Sequence, residues 1–198
     1  VVVAVLALVG AGVLALAFWA GKRAAGPSAA DKSAATAVVH NRVTFRRGNV
    51  LFARFTADGQ TVVYGAAWGD QPAEIFLTRI GSPETRALGI PGASLLSVSP
   101  TGELAILIKK GNLFGTAGGG TLARVPLAGG TPRQLLEDAF AADWGPEGRE
   151  LAVARQLEGT SVLEFPIGKR LYSGSGFGLI RVSPDGAYVA ALENDQTG

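Results

Sequence analysis

The sequence predicts an all-β fold assembled from a repeated antiparallel unit of about four short strands, and three observations predict it. A tight-turn cassette occurs four times, ending at Gly59, Gly102, Gly148 and Gly186. The residues leading into each glycine alternate apolar and polar, as a half-buried strand does. A second landmark, an arginine opening a short strand, stands 15 to 17 residues ahead of every one of those glycines: Arg42-Val43-Thr44, Arg86-Ala87-Leu88, Arg133-Gln134-Leu135 and Arg170-Leu171-Tyr172.

The turn residues follow from backbone sterics. Pro100, Pro146 and Pro184 stand two places before their glycine, with Ala57 in the first copy, and Asp58, Thr101, Glu147 and Asp185 stand directly before it. Proline pre-sets φ, a short polar or acidic residue tolerates the bend, and glycine accepts φ > 0 without a Cβ clash. Asp58, Gly59, Pro100, Gly102, Pro146, Gly148, Pro184, Asp185 and Gly186 are therefore expected to be structural. Six residues before each glycine stand Ala53, Leu96, Ala142 and Ile180, and four before it stand Phe55, Val98, Trp144 and Val182. Between them lie the polar residues Arg54, Ser97, Asp143 and Arg181. Past the turn, Val62-Val63-Tyr64, Ala105-Ile106-Leu107, Leu151-Ala152-Val153 and Val189-Ala190-Ala191 align as the second strand of a hairpin.

In chain order, Val1 to Ala20 carries no polar side chain, which is about the length a helix needs to cross the hydrocarbon core. Trp19 sits where an interfacial aromatic would. Residues 1–20 are therefore expected to form a transmembrane helix making the chain a single-pass membrane protein, with a signal-peptide core or a buried helix as alternatives. Lys22 and Arg23 follow directly, and basic residues favour the cytoplasmic side. Residues 21–41, rich in Ala with Gly26, Pro27 and Ser28, read as a linker. The chain contains no methionine and starts at Val1, which suggests a fragment.

Residues 42–198 hold the repeat. A third strand lies between hairpin and arginine landmark, at Glu74-Ile75-Phe76-Leu77, Thr121-Leu122-Ala123-Arg124-Val125 and Ser161-Val162-Leu163-Glu164-Phe165. The glycines recur every 38 to 46 residues. Four antiparallel strands at that period are the signature of a β-propeller blade, which stacks on its neighbours around an axis because it cannot bury both faces alone. Three full units and a partial fourth are expected, with Arg42-Val43-Thr44 as the outer strand of a blade whose other strands lie elsewhere. The result is an incomplete ring.

The formal charge of +2 is small and spread along the chain, so no nucleic-acid-binding surface is indicated. Without cysteine there is no disulfide framework and no thiolate metal site, and the lone His40 leaves no Ser-His-Asp triad or histidine-based zinc site. No cofactor is expected. Gly118-Gly119-Gly120 lacks the Lys-Ser/Thr of a phosphate loop and reads as a flexible connection between strands. Gly174-Ser175-Gly176-Phe177-Gly178 misses the spacing of a nucleophile elbow and reads as a loop between blades. The pairs Glu137/Asp138 and Glu193/Asp195 read as solvated turn residues in preference to a calcium site. Trp68 and Trp144 read as packing anchors, Trp68 with some reach to the surface. Arg54, Ser97, Asp143 and Arg181 occupy equivalent places in the strand nearest the axis, where they serve either hydrogen bonding between blades or contact with a ligand in the channel.

The cassette resembles the repeats of TolB-type, WD-like bacterial propellers, whose consensus is an apolar residue, Ser-Pro-Asp-Gly and a short apolar strand. Val182-Ser183-Pro184-Asp185-Gly186 matches fully; the copies at Val98 and Trp144 lose the Asp, and the copy at Phe55 loses Ser and Pro. With the preceding apolar stretch, Val43-Thr44-Phe45-Arg46-Arg47-Gly48, Thr61-Val62-Val63-Tyr64, Gly81-Ser82-Pro83-Glu84 and Leu122-Ala123-Arg124-Val125-Pro126-Leu127-Ala128-Gly129-Gly130 resemble the region after the kinase domain of bacterial, eukaryotic-like serine/threonine protein kinases. That resemblance implies a membrane-anchored, extracytoplasmic (periplasmic) sensor propeller with no catalytic residues of its own and a protein or small-ligand partner. Lys22 and Arg23 sit uneasily with that topology. Two other readings stay open: a non-enzymatic envelope scaffold of the TolB kind, and a propeller gating a downstream serine hydrolase.

Overall fold

Thirteen strands and no helix make up the residues described by a computed structural model of the chain, 40–108 and 119–193. The expected span at 1–20 and nearly all of the linker at 21–41 lie outside these residues. Among the described residues no helix is long and apolar enough to cross a membrane.

The alternating segments pair as their period requires. Blade 1 is a four-stranded antiparallel sheet in sequence order: β1 (Asn49–Phe55), β2 (Thr61–Ala67), β3 (Glu74–Arg79) and β4 (Thr85–Ala87). Blade 2 comprises β5 (Ala93–Val98), β6 (Glu103–Ile108), β7 (Gly120–Pro126) and the first half of β8 (Arg133–Trp144). Blade 3 takes the second half of β8, then β9 (Leu151–Leu157), β10 (Thr160–Glu164) and β11 (Arg170–Gly174). Blade 4 contributes β12 (Phe177–Val182) and β13 (Val189–Glu193). The innermost strands, β1, β5, late β8 and β12, each carry one cassette into its turn.

Strand β8 belongs to two blades. Residues Arg133 to Leu136 pair with β7, and Ala139 to Trp144 pair with β9. The change of direction falls at Asp138, whose φ of 57° lies in the left-handed region that a short acidic side chain tolerates better than most. Gly119 is pressed against this corner: a Cβ there would lie 2.5 Å from the Asp138 carbonyl carbon. Glu137 and Asp138 are exposed, as expected, but they form an in-strand joint and not a turn. Gly119 and Gly120 are a close-packed contact and a strand start, not a flexible connector; Gly118 lies outside the described residues.

Blades stack through apolar faces. Val63, Ile75 and Leu77 of blade 1 pack on Leu95, Leu104, Ile106 and Val125 of blade 2. The other face of blade 2, with Ala105, Leu107 and Leu122, meets Ala142, Trp144, Leu151 and Val153 of blade 3. Ala141, Ala152, Ala154 and Leu163 of blade 3 then receive Phe177 and Ile180 of blade 4. Every second residue of a strand thus serves one interface and the intervening ones serve the next, the period-2 logic of a sheet buried on both faces.

Two details depart from the sequence reading. Arg42-Val43-Thr44 forms no strand. Val43 instead packs on the face of blade 1 that looks away from blade 2, beside Val62, Tyr64, Ala66, Trp68 and Phe76, and the Arg46 guanidinium lies 4.8 Å over the Trp68 ring. The blade it was expected to close is not among the described residues, so the segment meets no edge of that blade to pair with. The second departure is a one-residue slip in blade 2. The turn-closing bond runs from Thr56 N–H to Thr61 O, Gly145 N–H to Glu150 O and Ser183 N–H to Tyr188 O, but from Ser99 N–H to Glu103 O. The hairpin at Gly102 is one residue shorter, so Leu104, not Ala105, stands where Leu151 and Val189 stand. Aligning on glycine alone therefore puts Ala105 on the wrong face.

Candidate functional site: the polar row of the innermost strands

The four row residues are at equivalent positions, and the structure divides them into a bonded pair and two separate arginines. The Ser97 hydroxyl of blade 2 donates to Asp143 Oδ1 of blade 3 at 2.5 Å, and the Trp144 N–H donates to Ser97 Oγ at 3.4 Å. The second oxygen of Asp143 accepts the Val182 N–H of blade 4 at 2.8 Å. One carboxylate thus ties three consecutive blades together. Ser97 and Asp143 are both buried, where an unmet polar group would be costly, so each partner's presence is a condition for the other's.

Arg54 and Arg181 behave alike at the two ends. Each guanidinium folds back onto the carbonyl of the preceding residue, Arg54 Nη1 to Ala53 O and Arg181 Nη1 to Ile180 O, both at 2.7 Å. Arg54 Nε is buried without an acceptor. Among the described residues neither arginine enters an ion pair.

The turns below the row form a second layer. Gly59, Gly102, Gly148 and Gly186 have φ of 64°, 86°, 66° and 73°, and each glycine N–H donates to the carbonyl three residues back. In the first and last copies the aspartate organises the loop. Asp58 Oδ1 accepts from the Thr56 hydroxyl at 2.5 Å and from Gln60 N–H at 2.9 Å, and Asp185 Oδ1 accepts from the Ser183 hydroxyl at 2.5 Å and from Ala187 N–H at 3.0 Å. The hydroxyl bonds first, and the backbone bonds after them, hold both carboxyls below the usual aspartate value. Successive turns also touch. A Cβ on Gly148 would collide with Ser99 Oγ of the preceding blade, and one on Gly186 would lie 3.1 Å from Pro146 Cγ.

Sequence reasoning missed one charged pair. Arg155 and Glu164 flank the two-residue turn at Glu158 and Gly159, whose φ of 49° and 81° fit a type I′ hairpin. In this register the two lie diagonally across β9 and β10, and Arg155 Nη2 reaches Glu164 Oε1 at 2.9 Å. Glu164 Oε2 also accepts Gly168 N–H at 2.9 Å. Burial pushes the Glu164 carboxyl up, but the Gly168 bond and Arg155 together outweigh it and hold it below its ordinary value. Opposite charges nine residues apart around a Glu-Gly pair were the available signal.

The remaining candidates have structural surroundings. Trp144 is buried between blades 2 and 3 and Trp68 under the coil at Arg46, both with indole N–H groups that meet no acceptor. Glu193 lies in β13, and its Oε1 accepts Ser175 N–H at 3.0 Å, holding the crossover from blade 3 to blade 4. It is exposed, as expected, but stands in a strand and not in a turn, and Asp195 lies outside the described residues. Ser175 and Gly176 do form the loop between blades. Among the described residues no cluster of His, Asp or Glu is arranged to hold a metal. An open cleft of about 820 Å³ runs along the rim between Thr78, Arg79, Glu84 and Leu127, and one of about 360 Å³ lies between Pro146, Phe165 and Gly186. None of the four row residues lines either.

No protein-family model matches the chain and no curated protein matches it. Solved structures do. TolB from Acinetobacter baumannii superposes with a TM-score of 0.63 at 16% identity, over 76% of this chain and 39% of that one. A putative TolB from Agrobacterium tumefaciens gives 0.61 at 14% identity, over 77% of this chain and 59% of that one. The chain thus spans less than two thirds of the length of either structure, and at such identities the likeness is one of fold alone. With blades stacked through alternate faces and inner strands ending in Gly turns, the described residues adopt a TolB-like β-propeller fold.

Proposed function

We propose that the chain is the binding or sensing region of a membrane-tethered propeller, anchored by residues 1–20, displayed outside the cytoplasm and following a serine/threonine kinase domain. The observation that carries the binding part is the bonding of the inner-strand row. Ser97 and Asp143 are engaged with each other and with Val182, so the buried part of the row braces blades 2, 3 and 4 beneath whatever surface they present to a partner. The apolar stretch at 1–20 supports the tether, and the cassette and flanking motifs support the kinase link. Reading the frame upstream of Val1 tests that link, with a His-Arg-Asp catalytic loop expected and its absence removing the kinase. Membrane fractionation, followed by protease treatment before and after opening the outer membrane, tests placement. Cleavage within 42–198 only once the outer membrane is opened is expected for a periplasmic propeller.

A second reading, an envelope scaffold, is favoured by the fold shared with the two TolB structures. It differs in requiring no kinase upstream and in surviving removal of residues 1–20 with its partner binding intact.

A further inference from the structure

The rim cleft between blades 1 and 2 holds two cations that no carboxylate answers. Thr61, Leu77, Arg79 and Arg86 of blade 1 line it, with Leu127 of blade 2. In the register of blade 1, Arg86 stands opposite Leu77 and Thr61 opposite Arg79. Arg79 is therefore diagonal to Arg86 on one face of the sheet, about 7–8 Å away. Arg86 is fixed by the neighbouring blade: its Nη2 donates to Leu127 O at 2.6 Å and its Nη1 to Ala128 O at 3.0 Å. Its remaining N–H groups are left for a ligand. Arg79 is exposed, and among the described residues neither arginine enters an ion pair. Glu84 lines the cleft beyond ion-pair distance of both, and Asp58 attracts Arg79 from farther off.

Blade 2 shows which group is missing. Leu104 pairs with Val125 as Val62 pairs with Thr78, so Glu103 holds in blade 2 the place of Thr61, and Arg124 that of Leu77. Two arginines meet there as well, Arg124 opposite Arg133, but Glu103 Oε2 lies 3.4 Å from Arg124 Nη1 and supplies the anion from within the blade. Blade 1 has a threonine at that place and keeps both cations. We propose that this cleft binds a partner protein through an acidic peptide segment, with a carboxylate of the segment answering Arg79 and Arg86. The cleft, at about 820 Å³, has the size of sites that enclose a ligand, about 300–1,000 Å³. Leu77 and Leu127 give it an apolar floor for the side chains between the acidic ones. Glu84 favours a carboxylate over a phosphate, because a group with one negative charge is repelled less by that wall than one carrying nearly two. The site names the partner chemistry for the binding role proposed above and rests on that role, but not on the tether or the kinase.

The test follows fluorescence anisotropy of a short labelled peptide alternating Glu and Ala, and of its Gln counterpart, with the full chain in nonionic detergent at fixed ionic strength. The Glu peptide should bind saturably and at least about tenfold more tightly than the Gln peptide, as charge-assisted bonds to two guanidinia require. Two substitutions should each weaken it about tenfold: Arg79→Gln, which removes an exposed side chain outside every ion pair of the described residues, and Thr61→Glu, which gives blade 1 the counterpart of Glu103. Arg47→Gln removes an exposed cation outside the cleft and should change affinity less than about twofold once salt screens distant charges. Equal affinity for the two peptides overturns the proposal, as does failure of either cleft variant to weaken binding or an equal loss at Arg47. Inorganic phosphate displacing the Glu peptide where acetate at the same ionic strength does not would overturn the choice of a carboxylate. Tight Glu-peptide binding that both cleft variants leave unchanged sinks this site alone, since the binding role would then lie on another surface of the chain.

Discussion

Phe55 and Trp144 occupy the same place, four residues before a turn glycine on the side facing the preceding blade, yet they meet opposite fates. Trp144 is 6% exposed between blades 2 and 3, and Phe55 is 61% exposed on blade 1. Their backbones pair identically, Phe55 with Val62 and Trp144 with Leu151. Burial in this fold is therefore conferred by the neighbouring blade, not by the strand itself, as in arrays whose stability is a sum of unit and nearest-neighbour terms. Blade 1 compensates in part: coil at Val43 and Arg46 covers Tyr64, Trp68 and Phe76 but leaves Val50 and Phe55 in the open.

The sharpest break of that contrast is truncation at both positions. Trp144→Ala should destabilise by about 3–5 kcal/mol, the usual cost of a large buried aromatic, while Phe55→Ala should stay within about 0.5 kcal/mol. Denaturant melts of the two variants measure the difference, and equal losses would refute the assignment of burial to the neighbour. Next in size, Asp143→Ala should cost about 1–3 kcal/mol by stranding the Ser97 hydroxyl and Val182 N–H, with most of that cost recovered as coupling when combined with Ser97→Ala in a double-mutant cycle.

The turn glycines repeat the comparison on a smaller scale. A Cβ at Gly59 meets nothing within 4 Å, so Gly59→Ala should lose only about 1–2 kcal/mol for its left-handed backbone; Gly148→Ala should lose more, because its Cβ also collides with Ser99. Comparing both melts separates strain from collision. The smallest effect is a pH dependence inside blade 3. With its carboxyl depressed, Glu164 contributes stability that is fully present above the ordinary glutamate value of 4.5 and is lost as pH falls through its folded value. Glu164→Gln should flatten the acid limb of a stability-against-pH curve and lower the neutral plateau. Asp58 and Asp185 carry the same sign, so the flattening is partial.

Much of this architecture was legible in the chain. The alternation around Arg54, Ser97, Asp143 and Arg181 located the inner strands, and the turn residues located the hairpins, because both depend on local sterics and period. What escaped depends on contacts between remote residues or on residue count within a turn. Nothing local distinguishes Gly102-Glu103 from the longer turns, yet the missing residue moves Leu104 to another face. Nothing near Arg42 reveals that its segment packs as coil on the Tyr64, Trp68 and Phe76 face instead of pairing as a strand. The row was visible as a row, but its division into a bonded pair and two unpaired arginines appears only once the blades are neighbours.

Strand β8 has a consequence for how the molecule comes apart. Blades 1 and 2 adhere through side chains across the Leu88–Gly92 connection, whereas blades 2 and 3 share strand β8, whose first half pairs with β7 and whose second half pairs with β9 on either side of the Asp138 corner. Detaching blade 1 breaks no ladder bonds, whereas separating blades 2 and 3 must bend one continuous strand at the Asp138 corner and part the Gly120–Ala139 pairing. The central two blades should therefore open as a single cooperative unit, with amides of β7 and β9 exchanging together and those of β2 exchanging on their own, earlier schedule.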